Sequence, residues 1–326
     1  MQKTQQFVPD KNNILQASEN IRDMAHVTPV MTCRTLNDMA GRNLYFKMEN
    51  FQKAGAFKYR GALHAVKTLR DIPAVAAHSS GNHAQALALA ARQRGIPAYL
   101  VMPKGSTPAK VAAVRSYGGT VIPCENTLES REQTLLKVLE DTGSAFIHPY
   151  DDGRTISGQA TCAREFIEQA GDLDVIVTPL GGGGLLSGTA LSAYYFGKYI
   201  RVVGAEPAGA DDGYRSFVSG TLVTDLKPDT IADGLRTRLS ELTFSIIRNY
   251  VHEVVTVSEE EIIEAMRLMW ERMKVVIEPS AAVPVAAMVF RKAKCSGTNV
   301  GIIVSGGNAD LTSLPWKGAP SGASYN

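Results

Sequence analysis

The chain has 326 residues, 44% of them hydrophobic and 20% charged, with a formal net charge of +2. This is enough apolar material for a large core and, as a prior, for about two units of roughly 150 residues each. The near-neutral charge without a basic block argues against a nucleic-acid or acidic-membrane partner, and no stretch is apolar for long enough to span a bilayer.

Cys33, Cys124, Cys162 and Cys295 are widely spaced, which indicates neither a zinc site nor a disulfide framework. The opening Met1–Gln6 has no apolar leader run, so a cytoplasmic location is expected.

Strand-like runs alternate with helical ones. The first strand is expected at Asn43–Met48 and a helix at Lys58–Leu69. Strands at Ala74–Ala77, Ala98–Val101 and Thr120–Ile122 then alternate with helices at Gly81–Gln93, Ala109–Tyr117 and Glu129–Asp141. A helix at Gly158–Gln169 leads to strands at Asp174–Val177 and Arg201–Ala205. Ser258-Glu259-Glu260-Glu261 reads as a capping box opening a helix to about Lys274, and Val300–Val304 is the last strand. In that helix Met266, Met269, Trp270 and Met273 read as core contacts. The alternation predicts an α/β protein with mainly parallel twisted sheets flanked by helices. Residues 75–147 are expected to form a smaller domain inserted in a larger one built from 1–74 and 148–326.

Two motifs carry most of the chemistry. Lys58 sits in Ala54-Gly55-Ala56-Phe57-Lys58-Tyr59-Arg60-Gly61, among small and aromatic groups. An amine that loses solvation has a lowered pKa and becomes available as the neutral nucleophile of a Schiff base. Gly181, Gly182, Gly183 and Gly184 follow an apolar strand and precede an apolar helix, an arrangement that offers bare amides to a phosphate. An aldehyde and a phosphate on one cofactor would need both motifs, which is the chemistry of pyridoxal 5′-phosphate.

Three further motifs follow strands. Ser79-Ser80-Gly81-Asn82-His83 opens a helix and suits a substrate carboxylate, although a serine N-cap explains either hydroxyl as well. Ser305, in Ser305-Gly306-Gly307-Asn308, could hydrogen-bond the pyridine nitrogen as a mild electron sink, or be a turn serine. Glu206 and Asp212, with one backbone carbonyl and waters, would suit Mg²⁺ or Ca²⁺; a solvated acidic loop is the alternative.

Together these residues, in this order from about Ile14 to Leu311, resemble the fold-type II pyridoxal-phosphate enzymes, and within them the serine racemase and serine/threonine dehydratase family. The resemblance implies that Lys58 binds the cofactor aldehyde, Phe57 flanks the ring and Asn82 meets its 3′ oxygen. It also implies that Gly181–Gly184 and Leu185 hold the phosphate while Ser305 faces the ring nitrogen. Ser79, Asn82 and His83 would hold the substrate carboxylate, with Arg131 and Thr237 as further substrate residues.

Ser80 favours the racemase branch, because dedicated threonine dehydratases usually have Ala there. Glu206, the Ala210 carbonyl and Asp212 match the racemases' site for Mg²⁺ (or Ca²⁺ or Mn²⁺). Gln85, Tyr117, Lys274 and Asn308 fall where some eukaryotic members bind ATP as an effector, and a homodimer is implied. Ala54 and Gly209 depart from the family pattern. The expected activity is serine racemisation with serine/threonine dehydration; a threo-3-hydroxyaspartate dehydratase and a non-catalytic cofactor-binding protein are the alternatives.

Overall fold

The structure is a computed structural model that describes residues 6–79, 81–106, 108–225 and 227–316. In chain order the elements begin with α1 (Lys11–Ile21), β1 (Val30–Thr32), α2 (Arg34–Ala40), β2 (Asn43–Met48) and α3 (Lys58–Thr68). There follow β3 (Val75–His78), α4 (Asn82–Arg94), β4 (Ala98–Pro103), α5 (Pro108–Ser116), β5 (Thr120–Cys124), α6 (Leu128–Thr142) and β6 (Ala145–Phe146). Next come α7 (Gly153–Ala170), β7 (Val175–Pro179), α8 (Gly184–Phe196), β8 (Arg201–Pro207), α9 (Asp212–Ser219) and α10 (Glu241–Tyr250). The chain closes with β9 (Glu253–Val257), α11 (Glu259–Leu268), α12 (Pro279–Val289) and β10 (Asn299–Val304).

These strands make two sheets, of order β1-β2-β10-β7-β8-β9 and β5-β4-β3-β6. Every pairing is parallel except β1 with β2. The four-stranded sheet draws all its strands from β3 to β6, whereas the six-stranded sheet takes strands from both sides of that stretch. The α/β architecture expected from the alternation is therefore present.

The central strands Val175–Pro179 and Val300–Val304 are buried throughout, as parallel strands covered on both faces must be. One face packs on α2, α11 and α12, and the other on α7, α8 and α10. The last strand, β10, enters the middle of its sheet between β2 and β7. Its carboxyl end is thereby brought beside the segment that leads into Lys58.

Two sequence expectations need adjusting. Helix α7 begins at Gly153 rather than Gly158, because the Asp152 carboxylate accepts the Arg154 amide as an N-cap. The helix opened by Ser258, with its reciprocal Glu261 cap as expected, runs as an α-helix to Leu268 and then as a π-helix over Met269–Met273. Left-handed Lys274 ends it.

Helices α3, α7 and α8 stack through bare backbone. A Cβ built on Gly158 would lie 2.6 Å from Gly61 Cα and 2.7 Å from the Arg60 carbonyl oxygen. One built on Gly188 would lie 2.7 Å from the Ala160 amide nitrogen. Gly158→Ala is therefore expected to cost roughly 1–3 kcal/mol by overpacking. The check is a lowered urea midpoint at unchanged slope; an unaltered midpoint would show that α3 and α7 tolerate a wider spacing.

Candidate active site

Strand β7 ends at Pro179, and the chain turns through Gly181–Gly183 before α8 starts at Gly184. The N-cap, Gly183, has φ +86° and makes no side-chain cap, so the first amides of α8 have neither an intrahelical acceptor nor a capping oxygen. Neighbours forbid any side chain along this loop. A Cβ would lie 2.9 Å from Leu235 Cα at Gly181, 2.4 Å from the Tyr150 ring at Gly182 and 2.8 Å from Tyr150 Cβ at Gly184. Thr237 stands beside the same loop, its Oγ1 3.3 Å from the Cβ position of Gly181. The result is a cradle of backbone N–H groups at a helix N-terminus, where an anion is favoured. Leu185 continues it into the helix.

Lys58 reaches this region through a strained loop. Ala54 (φ +57°) and Gly55 (φ +70°) are both left-handed, and the Ala54 carbonyl accepts from Asn308 Nδ2 at 2.8 Å. Beyond them the loop zips to the end of β10. Ala56 bridges Gly306, the Phe57 amide donates to the Ser305 carbonyl at 3.0 Å, and the Gly307 amide donates to the Gly55 carbonyl at 2.9 Å. Ser305 is buried directly behind the first turn of α3.

Lys58 Nζ donates to the Pro149 carbonyl at 2.9 Å and lies 5.1 Å from the Phe57 ring centroid. Burial lowers the amine from its ordinary value to about 8, against the opposing charge of Glu278. A large fraction is thus neutral within a unit of physiological pH.

Glu278 is a functional candidate that the sequence reading missed. Its buried carboxyl is raised to about 7, chiefly by desolvation and then by Asp233. Its Oε1 accepts from Asn82 Nδ2 at 2.8 Å, and Asn82 Oδ1 accepts from Asn308 Nδ2 at 2.9 Å. This chain fixes the Asn82 amide at the mouth of α4. The signal available in the sequence was a lone acid between apolar Val275–Ile277 and a helix-starting proline.

At the start of α4 the N-cap is Gly81, with no side-chain cap, and Ser79 Oγ accepts the Gly81 amide at 3.4 Å. A serine N-cap is therefore not what opens this helix among the described residues; Ser80 lies outside them. His83 Nε2 faces the Ile147 carbonyl at 2.8 Å, and a carbonyl only accepts, so that nitrogen carries the proton. His83 Nδ1 is buried without a hydrogen-bond partner among the described residues, and burial lowers the ring to about 3. His148 is likewise lowered to about 4, its Nδ1 accepting the Asp151 amide at 2.8 Å. Both imidazoles are neutral, so neither supplies positive charge to an anion.

Arg131, on α6, donates from Nη2 to Asn126 at 2.7 Å, and its buried Nε has no hydrogen-bond partner among the described residues. Burial lowers His78, at the end of β3, and the Arg131 charge adds to that effect against Glu132. Arg236 and Arg238 donate instead to the Thr230 and Thr224 carbonyls.

The acid pair is buried rather than solvated. Glu206 and Asp212 are both fully covered, as is Ala210. Glu206 accepts the Gly213 and Tyr214 amides, and Asp212 Oδ2 accepts the Leu239 amide at 3.1 Å, while Asp212 Oδ1 has no hydrogen-bond partner among the described residues. Burial pushes Glu206 far above the carboxylate range and Asp212 up to about 6. Among the described residues no three His, Cys, Asp or Glu side chains cluster to hold a metal, so a cation here would rely on two carboxylates, a carbonyl and water. The departure at Gly209 has a steric reason: a Cβ there would lie 1.9 Å from the Asp229 carbonyl oxygen.

Comparison with known proteins places this geometry in context. A family model described as pyridoxal-phosphate dependent enzyme matches residues 21–306. The chain is 47% identical over 314 residues to a beta-hydroxyaspartate dehydratase of Paracoccus denitrificans, covering 95% of this chain and 100% of that protein. It is 48% identical to a serine racemase of Arabidopsis thaliana over 95% of this chain and 96% of that one. Among solved structures, maize serine racemase superposes with a TM-score of 0.92 at 43% identity, covering 95% of this chain and 97% of that chain.

The opposing charge of Glu278 gives a prediction with a definite sign. Removing it disfavours the ammonium, so in cofactor-free Glu278→Gln the midpoint for reaction of Lys58 with an amine reagent must fall below about 8. Peptide mass spectrometry of samples labelled across the pH range reads this, and an unmoved or raised midpoint would contradict the assigned coupling.

Proposed function

The chain belongs to the pyridoxal-phosphate dependent enzymes, and we propose that it is a serine racemase that also dehydrates L-serine and L-threonine. The dehydration releases ammonia with pyruvate or 2-oxobutanoate. The observation that carries this reading is the meeting of two remote motifs. A partly desolvated lysine amine, on a loop zipped to the strand end that bears Ser305, donates to the Pro149 carbonyl. The next residue, Tyr150, packs on the glycine cradle at the N-terminus of α8.

The residues fit the cofactor. The cradle excludes side chains but leaves its amides free for a phosphate, and the Lys58 amine is depressed enough to join an aldehyde. Gly181–Leu185 would hold the phosphate, Ser305 the pyridine nitrogen and Asn82 the 3′ oxygen, with Phe57 beside the ring. When bound, pyridoxal phosphate supplies a sink for the electrons of the substrate Cα–H bond.

The protein's own groups do the rest. Amides at the start of α4, with Ser79 and Asn82, hold the substrate carboxylate and so orient the Cα–H bond. Lys58, neutral for much of the time near pH 8, takes the α-proton on its face. Ser80 is assigned delivery of a proton on the opposite face, which inverts the centre; departure of the β-hydroxyl as water instead, followed by hydrolysis of the released enamine, gives the keto acid and ammonia. Ser305, a hydroxyl rather than a carboxylate, keeps the electron sink mild, which suits racemisation and elimination.

Arg131 supports threo-3-hydroxyaspartate as a second substrate. Arg131, whose buried Nε has no hydrogen-bond partner among the described residues, is the cation we assign to the additional carboxylate, and the Paracoccus relative is named for beta-hydroxyaspartate. We assign Mg²⁺ (or Ca²⁺ or Mn²⁺) to Glu206, the Ala210 carbonyl and Asp212, supported by two buried acids that no basic side chain among the described residues hydrogen-bonds. An ATP effector, a homodimer and a cytoplasmic location complete the reading and rest on the resemblance and composition. No helix among the described residues is long and apolar enough to cross a membrane.

Two experiments test this. Incubation with L-serine and Mg²⁺, followed by chiral analysis and pyruvate assay in one tube, should yield both D-serine and pyruvate. Ser80→Ala should cut racemisation by roughly 100-fold or more while elimination changes by about threefold or less. Equal losses would remove Ser80 from its role, and oxaloacetate release from hydroxyaspartate at far higher kcat/KM would make the second substrate the first.

The acid pair predicts a pH-dependent response to cation. Asp212 is raised from 3.8 to about 6 in the fold, so the folded state binds its proton more tightly than the unfolded one. The cation-free fold therefore loses stability as pH rises between those values. Mg²⁺ should raise Tm more at pH 8 than at pH 5, and Asp212→Asn should abolish the difference. An equal shift at both pH values would place the cation elsewhere.

A further inference from the structure

We propose that Arg60 is a positioning residue for the Lys58 amine: its guanidinium, forked between two buried carboxylates, fixes the first turn of α3 to the six-stranded sheet that carries the glycine cradle. Arg60 follows Lys58 by two residues, about 200° around the helix, so the two side chains leave α3 on opposite faces. Lys58 reaches the Pro149 carbonyl, next to the residue that packs on the cradle. Arg60 leaves the opposite face and is 1% exposed.

The guanidinium is held on both edges. Nε and Nη2 donate to the two oxygens of Glu49, each at 2.8 Å. Nη1 and Nη2 donate to the two oxygens of Glu165, each at 3.0 Å. Glu49 follows β2 and also accepts Thr28 Oγ1 at 2.6 Å. Glu165, on α7, is shared with Lys47 of β2, which donates at 2.5 Å and reaches Gln169 and the Thr28 carbonyl as well. Two cations and two carboxylates balance, and the cluster ties β2, α3 and α7 to one point.

Such a cluster needs a reason other than stability. Buried ion networks can often be replaced by packed apolar residues without loss of stability, so stability alone does not account for this one; fixing geometry is a role such networks serve in some proteins. A planar guanidinium in two forks fixes both the rotation of the helix and its position along its axis; a single ammonium could not.

The geometry around α3 makes that constraint consequential. The helix packs on α7 on one side and on α4 on the other. At its far end the Leu69 carbonyl accepts from Arg94 of α4 at 2.7 Å, so the two ends are claimed by different parts of the fold. Without the fork, the turn bearing Lys58 would be free to follow α4. The amine would then lose its register with the Pro149 carbonyl and with the cradle on α8.

This inference rests on the reading that Lys58 carries the cofactor, and the test separates the two. Arg60→Lys keeps the charge and loses the forks. Hydrogen exchange on the cofactor-free variant should rise locally at the amides of residues 56–61, with far-UV circular dichroism unchanged. On the holoenzyme, kcat should fall roughly 10- to 100-fold while KM changes by less than about threefold, the signature of a misplaced group rather than lost binding. Cofactor release should also quicken.

Arg60→Lys with wild-type exchange at residues 56–61 and wild-type kcat would overturn the proposal, as would exchange raised evenly across the chain. If that variant does not fold, Glu49→Gln leaves the Glu165 fork in place and should give the same local changes at smaller size. Its showing neither would overturn the proposal equally. Raised local exchange in a protein whose Lys58 holds no cofactor would sustain the positioning role and refute the cofactor reading alone.

Discussion

The lysine amine withdrawn from water is the constraint on which the rest of this site is built. Lowering Lys58 to about 8 corresponds to about 3 kcal/mol against its charged form. The fold holds the amine with one carbonyl, from Pro149, and one buried carboxyl that opposes the shift only in part. A fully paired ammonium would be stable and inert. An unpaired one would draw in water. The arrangement here lies between them, which is what a nucleophile near neutral pH requires.

Holding the amine there takes elements from across the chain. The strained Ala54-Gly55 turn brings the loop in, and the end of β10, some two hundred and fifty residues later, zips along it. The acceptor carbonyl comes from the segment between β6 and α7, whose next residue, Tyr150, packs on Gly182 and Gly184. The amine and the anion cradle are therefore positioned by one shared segment, so a shift in either is felt by both. Ligands in open α/β sheets collect at the carboxyl ends of strands, and Ser79, Gly181 and Ser305 all follow such ends.

What the sequence made legible was local. An apolar strand, four glycines and an apolar helix have few meanings, and the Ser258–Glu261 cap could be read directly. Backbone chemistry was less visible: the Pro149 carbonyl has no side-chain signature, and the uncapped start at Gly81 was masked by two adjacent serines. Glu278 was passed over because an acid before a helix-starting proline is common at surfaces. Its meaning depends on burial and on Asn82, which lies almost two hundred residues away in sequence. The same holds for Glu206 and Asp212, where a solvated loop and a buried acid pair share one sequence and differ only in what covers them.

The most direct test of the account is covalent. The holoenzyme is treated with borohydride, digested, and mapped by mass spectrometry for the pyridoxyl group. A single modified peptide bearing the label at Lys58 is the expected result. A label on another lysine, or none in a protein that retains its cofactor absorbance, would contradict the assignment of Lys58 and the mechanism drawn from it.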